Sequence, residues 1–282
     1  MIDLQALTRS ANTLEALPAS VTRLASIAAK DSWNVREVEE VVSLDQALSF
    51  RLLRMANSAA SASLMPIVTV RDAVVRLGIG SLLSLATATS VQKKLNSAIP
   101  EYGLSEGELW RHSVAAAIAA ESAPAFSDTE LPPETYSAAL LHDIGKLILA
   151  RQLDPDVLKV LAAGRQEGHL STLKAETEIL GVHHGELGGL IAQHWNLPPR
   201  LVTGIIHHHT PNDANDIVAD VVHVADLVAK HVGAGHWGDA DDRQVNPGSL
   251  TRLKMDERGF EALCKHVGKR LDQVLSQYAA GN

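Results

Sequence analysis

Cysteine is almost absent from this 282-residue chain: Cys264 stands alone, so no internal disulfide can form. Basic charge is in deficit. With 25 Lys and Arg against 33 Asp and Glu the net charge is −8, which leaves no field to hold a phosphate backbone, and nucleic acid is not expected as a partner. No uninterrupted apolar run reaches the roughly 18 residues needed to span a bilayer. The opening stretch, MIDLQALTRSANTLEALPAS, carries acidic side chains and no unbroken apolar segment, so it does not read as a secretory leader. A cytoplasmic protein without membrane association is the expectation. Sustained period-two alternation is also missing; VTV at 68–70 is the best strand candidate and is too short to build a sheet. Histidine does not occur in the first 111 residues, whereas 12 of the 13 fall between His112 and His236.

What is present reads as helix. The apolar share is 46% and the charged share 21%, ordinary for a soluble globular chain of one large domain or two smaller ones. Asn34 with Glu37, Thr69 with Asp72, and Ser105 with Glu108 each set a capping side chain three residues ahead of an acidic one, the signature of a helix start. Asp45 precedes a segment in which Leu48, Leu52 and Met55 share a face. Near the end of the chain Phe260, Leu263, Val267, Leu271 and Val274 form another such stripe. The fold class is therefore all-α. Loops are expected at SASLMP around Pro66, at SDTELPPE before Thr135, and over the Gly-rich run from 233 to 248, which has the composition of a lid.

The residues able to carry chemistry lie on several of these helices. ETYSAALLHDIGKLILA reads as one apolar helix interrupted by His142 and Asp143. Burying that pair needs a partner, either a divalent cation or a simple His–Asp hydrogen bond capped by Lys146. His112 sits in an Ala-rich helix. His183 and His184 open HHGELGGLIAQHWNLP. His207, His208 and His209 end a helix begun by Pro198 and Pro199, and consecutive residues fan out so widely that at most two of the three can face one pocket. Asp226 lies beside the buried face marked by Val222, Ala225 and Ala229. Each has a local explanation taken singly, but five segments each bringing such a residue are harder to dismiss.

In order of appearance these residues, together with the phrases LPASVTRLASIAAKD, VSLDQALSFRLLRMANSA, IVTVRDAVVRLGIGSLLSLA, ALLHDIGKLIL and HHHTP, resemble the HDOD domain of the HD metal-dependent phosphohydrolase superfamily. The resemblance covers about 15 to 230. It implies a multi-helix architecture with an N-terminal helical part over 1–105 packed on an HD-like metal-binding part over 106–232, followed by a loop and a C-terminal helix over 233–282. It also implies a ligand set: His112, His142, Asp143 and Asp226 for one ion, with His184, His208 and His209 for a second, and His207 as bystander. Such a set suits one or two divalent transition ions, iron or manganese first and zinc or nickel next. Proteins of this kind are bacterial signalling modules, so the implied role is regulation through a signalling protein partner or a small phosphate-containing ligand. The alternative is phosphate-ester hydrolysis, with Asp143 and Lys146 as catalytic residues. TPNDANDIVAD follows the His-His pair where HD-GYP phosphodiesterases carry Gly-Tyr-Pro, which removes support for cyclic-di-GMP as substrate.

Overall fold

The computed structural model describes residues 9–10, 14–57, 66–152, 154–167, 171–234 and 244–279. His169, His236, Ser58, most of SASLMP and the central part of the Gly-rich run fall outside them. Among the described residues the elements are helical, with only an isolated bridge between Ile99 and Leu104, as the all-α reading requires. The first four helices are α1 (Ala19–Ala28), α2 (Val35–Ser43), α3 (Gln46–Ala56) and α4 (Val70–Leu95), and α1, α2 and α3 all pack on α4. Local chemistry sets three of the starts. Asn34 Oδ1 accepts from the Glu37 amide at 2.9 Å, Asp45 Oδ1 from Leu48 at 3.0 Å, and Thr69 Oγ1 from Asp72 at 3.0 Å. Val68 and Thr69 therefore lead into a helix and are not a strand. Helix α4 is long and apolar enough to cross a membrane by length and composition, yet more than half of its apolar window is buried inside the fold and Gly78, at φ 77°, kinks it. Its apolar character is explained by its central packing position.

The second set comprises α5 (Glu108–Ser122), α6 (Thr135–Leu141), α7 (Lys146–Gln152), α8 (Pro155–Glu167), α9 (Thr172–Leu180), α10 (His184–His194), α11 (Pro199–Ile206), α12 (Pro211–Ala214), α13 (Ile217–His231), α14 (Pro247–Arg252) and α15 (Glu257–Ala279). Ala-rich α5 is the hub here, lying against α13, α6 and α15, because small side chains let three neighbours approach. Contacts of α4 with α5 and α6 join the two sets. The fully buried Asp220 on α13 accepts from the Arg252 guanidinium at 2.6 and 2.7 Å and from Ser249 Oγ at 2.7 Å, fastening α14 to α13.

Two expectations need correction. Helix α5 begins at Glu108 behind a left-handed Gly107; Ser105 does not cap it, and instead the Glu108 carboxylate accepts from the Ser105 amide at 2.6 Å. The apolar stretch after Pro133 is not one helix. Helix α6 stops at Leu141, residues 142–145 form turns, and α7 starts at Lys146. The cause is tertiary: an ideal Cβ on Gly145 would stand 1.9 Å from the backbone oxygen of His184 and 2.7 Å from the nitrogen of Gly188, so the chain turns where the start of α10 presses on it.

Candidate metal centre

Four imidazoles are held the same way, each by its Nδ1. His112, one turn into α5, places Nδ1 2.7 Å from the Ala234 carbonyl oxygen. His142, just past α6, sets Nδ1 2.6 Å from the Ala139 oxygen, and His208, just past α11, sets it 2.7 Å from the Ile205 oxygen. His184 is the first residue of α10, behind the reciprocal capping pair of His183 and Glu186, and its Nδ1 lies 2.7 Å from Glu176 Oε2. That same oxygen accepts the His184 amide at 2.8 Å, while Glu176 Oε1 accepts the Tyr102 hydroxyl at 2.6 Å. Carbonyl oxygens cannot donate, so Nδ1 carries the hydrogen in His112, His142 and His208, and each Nε2 is left as a lone pair aimed inward. Fixing the tautomer through the outer nitrogen is how protein sites orient imidazoles toward an ion.

The inward atoms form two groups that share one carboxylate. In the first, His112 Nε2 lies 3.1 Å from His142 Nε2, 3.1 Å from Asp226 Oδ1 and 3.5 Å from Asp143 Oδ2, and His142 Nε2 is 3.6 Å from both of those oxygens. In the second, His184 Nε2 lies 2.9 Å from His209 Nε2, 3.3 Å from His208 Nε2 and 3.1 Å from Asp143 Oδ1. Converging lone pairs repel unless a cation lies among them. Donors bound to one ion at about 2.1 Å sit roughly 3.0 Å apart at right angles and roughly 3.4 Å apart at tetrahedral angles, close to the separations seen. Three overlapping triads, His112–His142–Asp226, His142–Asp143–His208 and His184–His208–His209, could each hold a metal ion. The residues present therefore fit a divalent ion. Two ammonium groups bound the site from outside: Lys146 Nζ is 2.6 Å from Asp143 Oδ2 and Lys230 Nζ 2.8 Å from Asp226 Oδ2.

Electrostatics follow from burial and these neighbours. Burial alone would raise the Asp143 carboxyl, but Lys146, His142 and His184 outweigh it and hold it well below the usual range. Asp226 is lowered in the same way, burial being overcome by Lys230 and by the neighbouring His112 and His142 imidazoles. Burial and adjacent imidazoles push His208 and His209 well below the ordinary histidine value, whereas at His184 the Glu176 and Asp143 carboxylates overcome burial and lift the ring to about 9. The sign of the linkage is set by these directions. Folded His184 binds its proton more tightly than the unfolded chain does, so metal-free protein gains stability as pH falls from about 9 to about 6.5. Folded His208 and His209 bind theirs less tightly, so stability declines again below about 6.5. Melting temperature of the chelator-treated protein across pH 5 to 9 should peak near 6.5; a steady rise toward pH 9 would contradict the geometry.

The residues expected at the site lie together: His112, His142, Asp143, His184, His208 and Asp226 are buried and His209 and Lys146 part-buried, contributed by α5, the 142–145 turn, the start of α7, α10, the turn after α11, and α13. His207 turns aside, with Nδ1 3.3 Å from Thr210 Oγ1. Sequence reasoning missed Glu176 and Tyr102, which carry no spacing signal, and Lys230, whose position four residues after Asp226 on one helix was a usable one. It also missed His223, whose Nδ1 donates to the His208 carbonyl at 2.8 Å while Nε2 accepts the Asn246 amide at 3.0 Å. Burial pushes the Cys264 thiol up to about 11, in keeping with a packing role.

The HDOD domain family model matches residues 14–211, well over half of the chain. The chain belongs to the HDOD domain family. This HDOD protein is similar to a candidate phosphohydrolase from Shewanella amazonensis SB2B, at 28% identity and a TM-score of 0.68 with 98% of each chain covered. The fold is shared with an HDOD domain protein of Geobacter sulfurreducens, at 22% identity, a TM-score of 0.67, and coverage of 99% and 98%. A candidate signal transduction protein from Marinobacter aquaeolei VT8 has it too, at 20% identity and a TM-score of 0.73, over 96% of this chain and 60% of that one. A protein of Treponema pallidum (strain Nichols) is 25% identical over 210 residues, which are 73% of this chain and 40% of the relative, so the HDOD protein spans about two fifths of that relative's length.

Proposed function

We propose that this HDOD protein is a bacterial signal-transduction module whose metal centre fixes the arrangement of its helices, and that it acts by binding a signalling protein or a small phosphate-containing ligand. The supporting observation is how closed the centre is. His112, His142, Asp143, His184, His208 and Asp226 are all at most 5% exposed, with His209 part-buried at the edge, and Lys146 and Lys230 each cover one carboxylate oxygen, Oδ2 of Asp143 and Oδ2 of Asp226. A phosphate ester has no bare face of these groups to meet. The imidazole and carboxylate donors suit iron or manganese, then zinc or nickel, as one ion or two. Elemental analysis of purified protein should find at least one equivalent of such an ion, and a panel of phosphomonoesters and cyclic dinucleotides should show no turnover above a metal-free control. Turnover that follows metal content would replace this reading.

One observation favours a hydrolytic alternative: Asp143 turns one oxygen to each group of imidazoles, the disposition of a carboxylate shared by two ions. A bound ion would supply acidification of a water and polarisation of a phosphoryl oxygen. In that case Lys146, moved off Asp143 by the substrate, would neutralise charge on the phosphate, and the imidazoles would keep their orientation through their Nδ1 anchors.

A further inference from the structure

A second concavity, of about 330 Å³, lies where α3, α4, α5, α6 and α15 meet, and none of its lining residues belongs to the metal centre. It opens on the seam between the two helical sets, a common place for ligand sites, and its volume is at the lower end of their range. Carbon makes up much of the wall: Met55 comes from α3, Leu85 from α4, Ile118 from α5, Val274 from α15, and the rings of Tyr136 and Tyr278 from α6 and α15. The Trp110 ring meets that of Tyr278 edge-on at 5.2 Å, which braces it from behind.

The polar groups of the lining already have work. Arg270 donates to Glu121 and to Ser122 at 3.2 Å each, and Arg51 and Arg54 are engaged with partners of their own. Ser84 Oγ donates to the Gly80 carbonyl at 2.7 Å, and Thr89 Oγ1 to that of Leu85 at 3.0 Å. The Tyr136 and Tyr278 hydroxyls bond to each other, and burial pushes the first phenol well above its ordinary value and the second up to about 12, so both stay neutral. An anion entering here would meet Glu121 and would have to break bonds that the arginines already make, and a cation would meet three guanidinium groups. Charge of either sign is therefore penalised, and apolar surface is what the pocket has left to offer.

We propose that this pocket binds an uncharged, flat aromatic molecule of two or three rings, seated against Met55 and the two tyrosines and touching both helical sets at once. Aromatic rings and a thioether sulfur both favour such a partner, edge-on or offset. The site is separate from the metal centre, and the function proposed above does not depend on it.

Two fluorescent probes that share one skeleton test it on the intact chain: neutral N-phenylnaphthylamine and its sulfonated analogue, anilinonaphthalene sulfonate. The neutral probe should bind saturably with a Kd of about 10 μM or below, at least tenfold tighter than the sulfonate. Met55→Trp and Val274→Trp fill the cavity from opposite helical sets, and each should weaken the neutral probe at least tenfold while keeping the parent's melting temperature. Phe50→Ser removes a ring that is 66% exposed and lies outside the pocket, and it should bind the probe as the parent does. The proposal is overturned if the neutral probe does not bind saturably, if the sulfonate binds as tightly or more tightly, if either filled variant melts as the parent does and still binds normally, or if Phe50→Ser abolishes binding, which would put the probe on the open surface. The comparison of the two probes on the parent protein decides even where both filled variants fold poorly.

Discussion

Asp143→Ala should empty the metal centre. Its two oxygens face the two groups of imidazoles, at 3.5 Å from His112 and 3.1 Å from His184, so one substitution removes a donor from both. Bound metal, measured by elemental analysis, should fall at least tenfold. Ligand binding to the folded state adds about 2.7 kcal/mol at a hundredfold excess over Kd. In a chain of this size that is about 5–10 °C of melting temperature, and the whole metal-dependent rise should vanish in the variant. His209→Ala, at the edge of the second group, should keep the first group's ion and part of the rise. A variant lacking Asp143 that still gains the full increment on adding metal would show that the carboxylate is not a ligand.

Gly145→Ala should be the most damaging glycine-to-alanine change among the described residues. The new carbon would meet the His184 oxygen at 1.9 Å and the Gly188 nitrogen at 2.7 Å, and both are backbone atoms that cannot rotate away. Overpacking of this kind costs 1–3 kcal/mol where side chains can adjust, and here about 3 kcal/mol or more is expected because α10 itself must shift. Since α10 starts with His184, metal should be lost along with stability. Gly188→Ala is the internal comparison: its Cβ would meet the Cγ2 methyl of buried Ile205 at 2.9 Å, one side-chain contact in place of two backbone ones, so about 1–3 kcal/mol is expected, less than at position 145. Urea midpoints of the two variants decide the matter; equal and small shifts would mean that the contact at 145 relaxes easily.

The contrast between these glycines shows what the sequence could and could not reveal. Caps at Asn34 and Thr69 were legible because the capping side chain and the acidic residue are three apart, and the ligand residues because their types and order form a pattern. The break at 142–145 was not, since the apolar periodicity runs on through it and the cause is the backbone of a helix some forty residues later. Ser105 misled for a related reason, the left-handed Gly107 deciding where α5 begins. Glu176 and Tyr102 are silent in the sequence because what they serve, the Nδ1 of His184 and the carboxylate that anchors it, is defined only by the fold.

The anchoring of the four imidazoles also equips the molecule with its own reporters. Each ring proton on Nδ1 is shielded from solvent and held at 2.6–2.7 Å by a different acceptor: Ala234, Ala139, Glu176 or Ile205. Protons in short, sheltered hydrogen bonds exchange slowly and resonate far downfield, so these four can be watched by magnetic resonance without any label. One comes from each of four separate stretches of chain, which lets a disturbance be traced to the segment that moved.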